Sequence, residues 1–234
     1  MKRITLLLTL TAAAAIFLAA PVFADPSGNN ITYNADVTGA NELVLIFSAD
    51  WGNNKYDDGH FIGFSYGLMD MIEIGGNWRL TEDEDYRQDP IFDAKFRFDL
   101  GEDCECPGCE NQCRTTTGIA LGADNINFDE DENGSIIPYV VYTHDFNGLR
   151  ASAGYAFEED NGAIFVGFDA DTGDATLMWD WMQENDGDDW RAAVGCEMPF
   201  DWFDDNWTFV THLSFSSDST ASDIWYVEFN YAIP

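Results

Sequence analysis

Four cysteines crowd into the stretch EDCECPGCENQC, where Cys104, Cys106, Cys109 and Cys113 follow the spacing C-x-C-x2-C-x3-C. Three chemistries suit them. Four thiolates this close together can close one tetrahedral zinc site. Pro107 and Gly108 can make the bend that a Cys106 to Cys109 disulfide needs, and the same CPGC run has the spacing of a redox-active pair. The surrounding acids Glu102, Asp103, Glu105 and Glu110 disfavour thiolate formation without a metal, and an oxidising export route favours disulfides. The fifth cysteine, Cys196, falls on the apolar face of an expected strand and reads as a small hydrophobe.

A second cluster has the opening of a calcium loop: Asp129, Asp131 and Asn133 alternate, and Gly134 follows. The bidentate Glu that usually completes such a loop is missing, its place being taken by Val140, so a solvated acidic hairpin tip competes with a calcium site. Asp169, Asp171 and Gly173 form a weaker echo, read as a plain turn. Catalytic constellations are poor. The chain has three histidines and no G-x-S-x-G or H-E-x-x-H motif. His212 and Ser214 share one face of an expected strand, the germ of a Ser-His hydrolase, although neighbours in a polar interior explain them more simply. The expectation is a protein that is not an enzyme, with calcium and zinc as the cofactors its clusters would suit.

What must position these residues is a chain built for export. Residues 1–24 carry Lys2 and Arg3, an apolar run and small residues up to Ala24, the layout of a signal peptide. The remainder is strongly acidic: the chain has 43 Asp plus Glu against 10 Lys plus Arg, a formal charge of −33. Such a surface repels nucleic acid and anionic lipid headgroups.

Beyond the leader, segments of about ten residues alternate apolar and polar side chains. Ile72, Ile74, Gly76, Trp78 and Leu80 alternate with Glu73, Gly75, Asn77 and Arg79, and Trp225, Val227, Phe229, Tyr231 and Ile233 repeat the pattern near the end. Strands are expected near 42–51, 60–68, 72–80, 90–100, 118–128, 136–145, 149–158, 163–170, 174–183, 189–198, 206–216 and 223–233, twelve in all. Residues 31–38, ITYNADVT, look like a thirteenth. An even strand number leaves them out, so residues 25–41 are read as a periplasmic lead-in and 42–234 as one barrel domain.

Longer acidic connections roughly alternate with tight turns, as in a barrel whose periplasmic turns are short. Trp51, Trp78, Trp190 and Trp225 fall near one end of the strands, Trp202 and Trp207 near the other. Amphipathic indoles prefer the two membrane interfaces. In these patterns the chain resembles the small outer-membrane β-barrel proteins of diderm bacteria, porin-like in the general sense. The resemblance implies an all-β, antiparallel up-and-down transmembrane barrel of about 12 strands in the outer membrane. It also implies an aromatic final residue, where this chain has Pro234. A secreted or periplasmic β-sandwich acting as a binding module is the competing reading, and a lipid-modifying outer-membrane enzyme a third.

In such a barrel the polar strand faces point into the lumen. They bear Arg79, Lys95, Arg97, Arg150 and Arg191 together with Glu73, Asp93, Asp99, Asp180, Glu197 and Glu228. Near-balanced charge predicts internal ion pairs that fill a narrow barrel; the alternative is a charged constriction that selects permeant ions. The sequence therefore points to a porin or channel-like protein with acidic outer loops. Its expected partners are membrane lipid, divalent cations and small polar solutes.

Overall fold

The computed structural model describes residues 34–52, 59–80, 90–100, 117–126, 136–146, 148–157, 162–184, 189–200, 206–218 and 223–233. The leader, the four-cysteine segment, the Asp129–Asn133 cluster and Trp202 lie outside them. Twelve strands are formed: β1 (Leu43–Gly52), β2 (Gly59–Met69), β3 (Ile72–Arg79), β4 (Ile91–Asp99), β5 (Gly118–Ile126), β6 (Ile137–Asp145), β7 (Leu149–Ala156), β8 (Ala163–Asp171), β9 (Thr176–Glu184), β10 (Asp189–Pro199), β11 (Trp207–Ser216) and β12 (Ile224–Ile233). Each pairs antiparallel with its sequence neighbours, and β1 pairs with β12, so one sheet closes on itself. The sandwich alternative, which requires two facing sheets, does not describe this molecule.

Strand alternation sorts the side chains in the reverse of a water-soluble protein's order. On the outer wall Leu121, Ile164, Phe168, Leu177, Val194 and Leu213 are exposed. Inside, Glu73, Lys95, Thr143, Asp169, Asp180 and His212 are buried. A wall of this kind is stable where its surroundings are hydrocarbon, and a closed sheet leaves no backbone group unpaired along an edge. Trp51 and Trp225 face each other across β1 and β12 and stack with ring centroids 4.7 Å apart. With Trp78 on β3 and Trp190 on β10 they stand near one end of the barrel, and Trp207 begins β11 at the other.

Three described connections are tight. Asp70–Met71 joins β2 to β3; between β6 and β7, Phe146 N donates to the Leu149 carbonyl (2.6 Å); and Thr172 N donates to the Ala175 carbonyl (2.9 Å) between β8 and β9. All three lie at the end where β1 begins and β12 finishes. Gly148 and Gly173 adopt φ of 93° and 88°, values that favour glycine. Asp171 Oδ1 accepts from Gly173 N at 2.7 Å, so this aspartate serves the turn.

The lead-in does not stay outside. Residues 34–41 enter the barrel through the end where β1 begins, with Asn34 and Ala35 buried. A parallel bridge joins Ala40 to Gly67 of β2. Ala35 packs into the interior apolar cluster with Ala120, Tyr139, Val141, Ala156 and Phe165. A closed sheet has no edge to receive another strand, and the polar groups inside bond this extended segment instead.

Candidate functional site in the barrel lumen

Strand register places the expected charge ladder from Glu73 to Glu228, Arg79 apart, on the inward face. Arg79 pairs with Phe61 across β2 and β3. Glu73 and Lys95 are direct neighbours across β3 and β4, both buried, with 3.6 Å between Lys95 Nζ and Glu73 Oε1. Asp93 is buried opposite Gly75. Asp180 lies fully buried between Gly167 and Ala193. Arg191 faces inward between Met182 and Ser216, and Glu197, next to Thr176 and Val210, keeps an exposed side chain. Glu228 accepts hydrogen bonds from Tyr226 Oη and, at 2.7 Å, from Asn230 Nδ2.

The ladder is organised around a residue that sequence patterning leaves out. Asp36, in the entering segment, receives Arg97 Nη1 on Oδ1 at 2.6 Å and Arg150 Nη1 on Oδ2. Each arginine holds a second carboxylate: Arg97 Nε donates to Asp99 and Arg150 Nε to Asp169, each at 2.6 Å. Lys95 Nζ donates to the Asp36 carbonyl at 3.0 Å. Bonds of this charge-assisted type are the stronger class of hydrogen bond.

The neighbouring residues complete the grip. Glu73 Oε2 accepts from Thr38 N at 2.5 Å and from Thr38 Oγ1 at 2.7 Å, while that hydroxyl also meets Ser65 Oγ at 2.5 Å. Ala35 N donates to Thr143 Oγ1 at 2.8 Å, which in turn meets Ser152 Oγ at 2.9 Å. The segment therefore bonds to β2, β3, β4, β6 and β7, five strands of one side of the barrel. Its only trace in the sequence is the alternation of ITYNADVT, which is indifferent between pairing in a sheet and lying inside one.

The other side of the lumen, formed by β9–β12 and β1, is acid-rich and neutral-polar. His212 is 3% exposed and stacks on Tyr226, its centroid 4.5 Å away at 20°. Ser214 is buried two positions along the same face. Neither ring nitrogen of His212 and not the Ser214 hydroxyl makes a hydrogen bond within the protein. The nucleophile-to-base bond that a Ser-His hydrolase needs is thus not formed by this pair. Thr117 Oγ1 does meet His144 Nδ1, at 2.6 Å. No group of three or more metal-ligating side chains is assembled among the described residues.

The sequence matches no protein-family model and no curated protein sequence. Solved structures do resemble the fold. A membrane protein studied for the mechanism of in-meso crystallization aligns over 82% of this chain and 83% of its own, at 12% identity and a TM-score of 0.53. Outer membrane phospholipase A from Escherichia coli aligns over 94% of this chain and 96% of its own, at 12% identity and a TM-score of 0.50. The chain shares the closed β-barrel architecture of outer membrane phospholipase A.

Proposed function

We propose that this protein spans the outer membrane as a channel-like, non-enzymatic barrel for small polar solutes, held closed by its own residues 34–41. The single observation that carries this reading is the Asp36 carboxylate, each of whose oxygens is bound by an arginine of a different strand, Arg97 of β4 and Arg150 of β7. Reversal of the usual inside-outside polarity supports the membrane setting, because lipid-facing apolar residues with polar residues inside are the pattern of a transmembrane barrel. Exported protein reaches that membrane through the signal peptide. The acidic outer connections concentrate cations at the mouth.

Removing the two arginines takes both contacts from the Asp36 carboxylate and leaves the bonds of Lys95 to the Asp36 carbonyl, Thr38 to Glu73 and Ala35 to Thr143 as the segment's remaining hold. Planar-bilayer recording tests this. Wild-type protein should be silent, and the double variant Arg97→Ala, Arg150→Ala should conduct. A double variant that folds, shown by heat-modifiable gel mobility, and stays silent would exclude the segment as the closure.

A further inference from the structure

The two arginines that hold Asp36 are themselves held by the wall. Arg97 Nε donates to Asp99 of its own strand and Arg150 Nε to Asp169 of β8, each at 2.6 Å. Gly118, paired with Asp99 across β4 and β5, leaves Arg97 its room, since a Cβ there would stand 3.3 Å from Arg97 Nε. None of these contacts involves residues 34–41. Both guanidinium groups therefore have anchors that do not depend on Asp36, the preorganisation that lowers the cost of binding a ligand.

Between them lies a carboxylate with both oxygens engaged. Asp36 Oδ1 accepts from Arg97 Nη1 at 2.6 Å and Oδ2 from Arg150 Nη1, so β4 and β7 each present one donor to a single planar group. Guanidinium donors suit carboxylate geometry in this way. These contacts are those of a formed carboxylate site, and the group that fills it comes from a segment outside the twelve strands of the closed sheet. Because Asp99 and Asp169 offset part of the arginine charge, the binding is of a kind that exchanges.

Water reaches the site. The side chains of Asp36 and Arg150 are 28% and 27% exposed. Arg97 stands near the end of β4 and Arg150 near the start of β7, which is the end of the barrel where residues 34–41 enter. An anion arriving there does not pass the acidic connections of the opposite mouth.

We propose that Arg97 and Arg150 form a binding site for small organic carboxylates, filled by Asp36 as a built-in ligand, and that a carboxylate solute competes with residues 34–41 for it. The consequence, loosening of the segment that closes the barrel, rests on the closed-channel reading; the site itself rests on the two arginine contacts.

Removing the built-in ligand opens the site to measurement. Full-length Asp36→Ala protein labelled with 15N-arginine in detergent micelles reports it through the side-chain N–H resonances of Arg97 and Arg150, assigned by their loss in single Arg→Lys variants. Sodium acetate should shift both saturably and leave Arg191 unmoved, whereas sodium chloride at equal ionic strength should not. Wild-type protein should need about tenfold more acetate for the same shift, because tethered Asp36 competes at a high effective concentration. Adding Arg150→Gln to Asp36→Ala should weaken acetate binding about tenfold, as loss of one charge-assisted hydrogen bond implies. Asp36→Asn takes the place of Asp36→Ala should the latter fail to fold, and it too should need less acetate than wild type. Unmoved arginines in a folded Asp36 variant, movement of only one of them, an equal response to chloride, undiminished binding by a folded Arg150→Gln variant, or a wild-type response at the variant's acetate concentration would overturn the site. The channel reading fails separately: acetate binding by Asp36→Ala beside a silent Arg97→Ala, Arg150→Ala barrel keeps the site and removes the channel, and a conducting double variant without acetate binding does the reverse.

Discussion

Phe165, fully buried on β8, lies over Gly154 of β7, its direct cross-strand partner. A Cβ at Gly154 would stand 2.3 Å from Phe165 Cζ and 2.4 Å from the Val140 carbonyl oxygen. One neighbour is a ring that can turn; the other is backbone held in the β6–β7 ladder. Tyr139 covers Gly122 in the same way, at 2.2 Å from the position of a Cβ. At these two places a ring on one strand is accommodated by a bare position on the next. Gly154→Ala should therefore cost about 1–3 kcal/mol, the usual range for overpacking. Urea unfolding in lipid vesicles measures it. Adding Phe165→Leu should recover part of the loss if the ring is the obstacle, and none of it if the Val140 carbonyl is.

At the level of elements, the entering segment and β2 are fitted to each other by backbone as much as by charge. Asn41 N donates to the Gly67 carbonyl at 2.7 Å, and Gly67 N donates to Glu42 O at 3.1 Å. A Cβ at Gly67 would lie 2.1 Å from the Gly39 carbonyl oxygen and 2.4 Å from that of Thr38. Only a glycine permits so close an approach. β2 changes register beside Gly67, between it and Met69, as a bulge does when it re-aims a strand. Gly67→Ala should push residues 38–39 away from β2 and weaken the bonds from Thr38 to Glu73 and Ser65. Because the β1–β2 and β2–β3 ladders do not depend on that contact, the barrel should still form. The measurable outcome is faster proteolysis within residues 34–41 at unchanged heat-modifiability. Resistance equal to wild type would show that the close approach at Gly67 is not what holds the segment.

For the whole molecule, the governing quantity is the free energy of the outer wall in its solvent. Val194, near the middle of β10, is 45% exposed and faces outward between Trp179 and Leu213. A charge at mid-wall is costly in hydrocarbon and nearly free in water. Val194→Arg should accordingly lower stability by about 2–4 kcal/mol for a barrel folded into a bilayer. Folding titrations into lipid vesicles check this value. A change within about 0.5 kcal/mol, typical of an exposed position in water, would mean that the wall does not face lipid. The same wall explains why 46% hydrophobic residues coexist with a formal charge of −33: apolar side chains turn outward, and many charged ones turn inward or lie in the connections.

The strands, their number and the division of side chains between wall and lumen were legible in the sequence because a period of two is local. Each run such as Glu73 to Arg79 declares its own faces, and the twelve expected strands lie within about two residues of those formed, the usual margin at strand ends. Even the inward placement of Lys95, Arg97 and Arg150 follows from alternation alone. What those bases hold does not. Asp36 lies 61 residues from Arg97 and 114 from Arg150, and nothing in ITYNADVT distinguishes a strand from an extended plug. Closure of β1 on β12 leaves no sheet edge for a further strand, and residues 34–41 lie in the lumen instead. His212 and Ser214 were visible as same-face neighbours, but their missing hydrogen bonds arise from the strands packed around them. Patterning therefore determined which residues face inward, whereas tertiary closure decided which of them meet, because contacts across a barrel depend on curvature and register summed over all its strands.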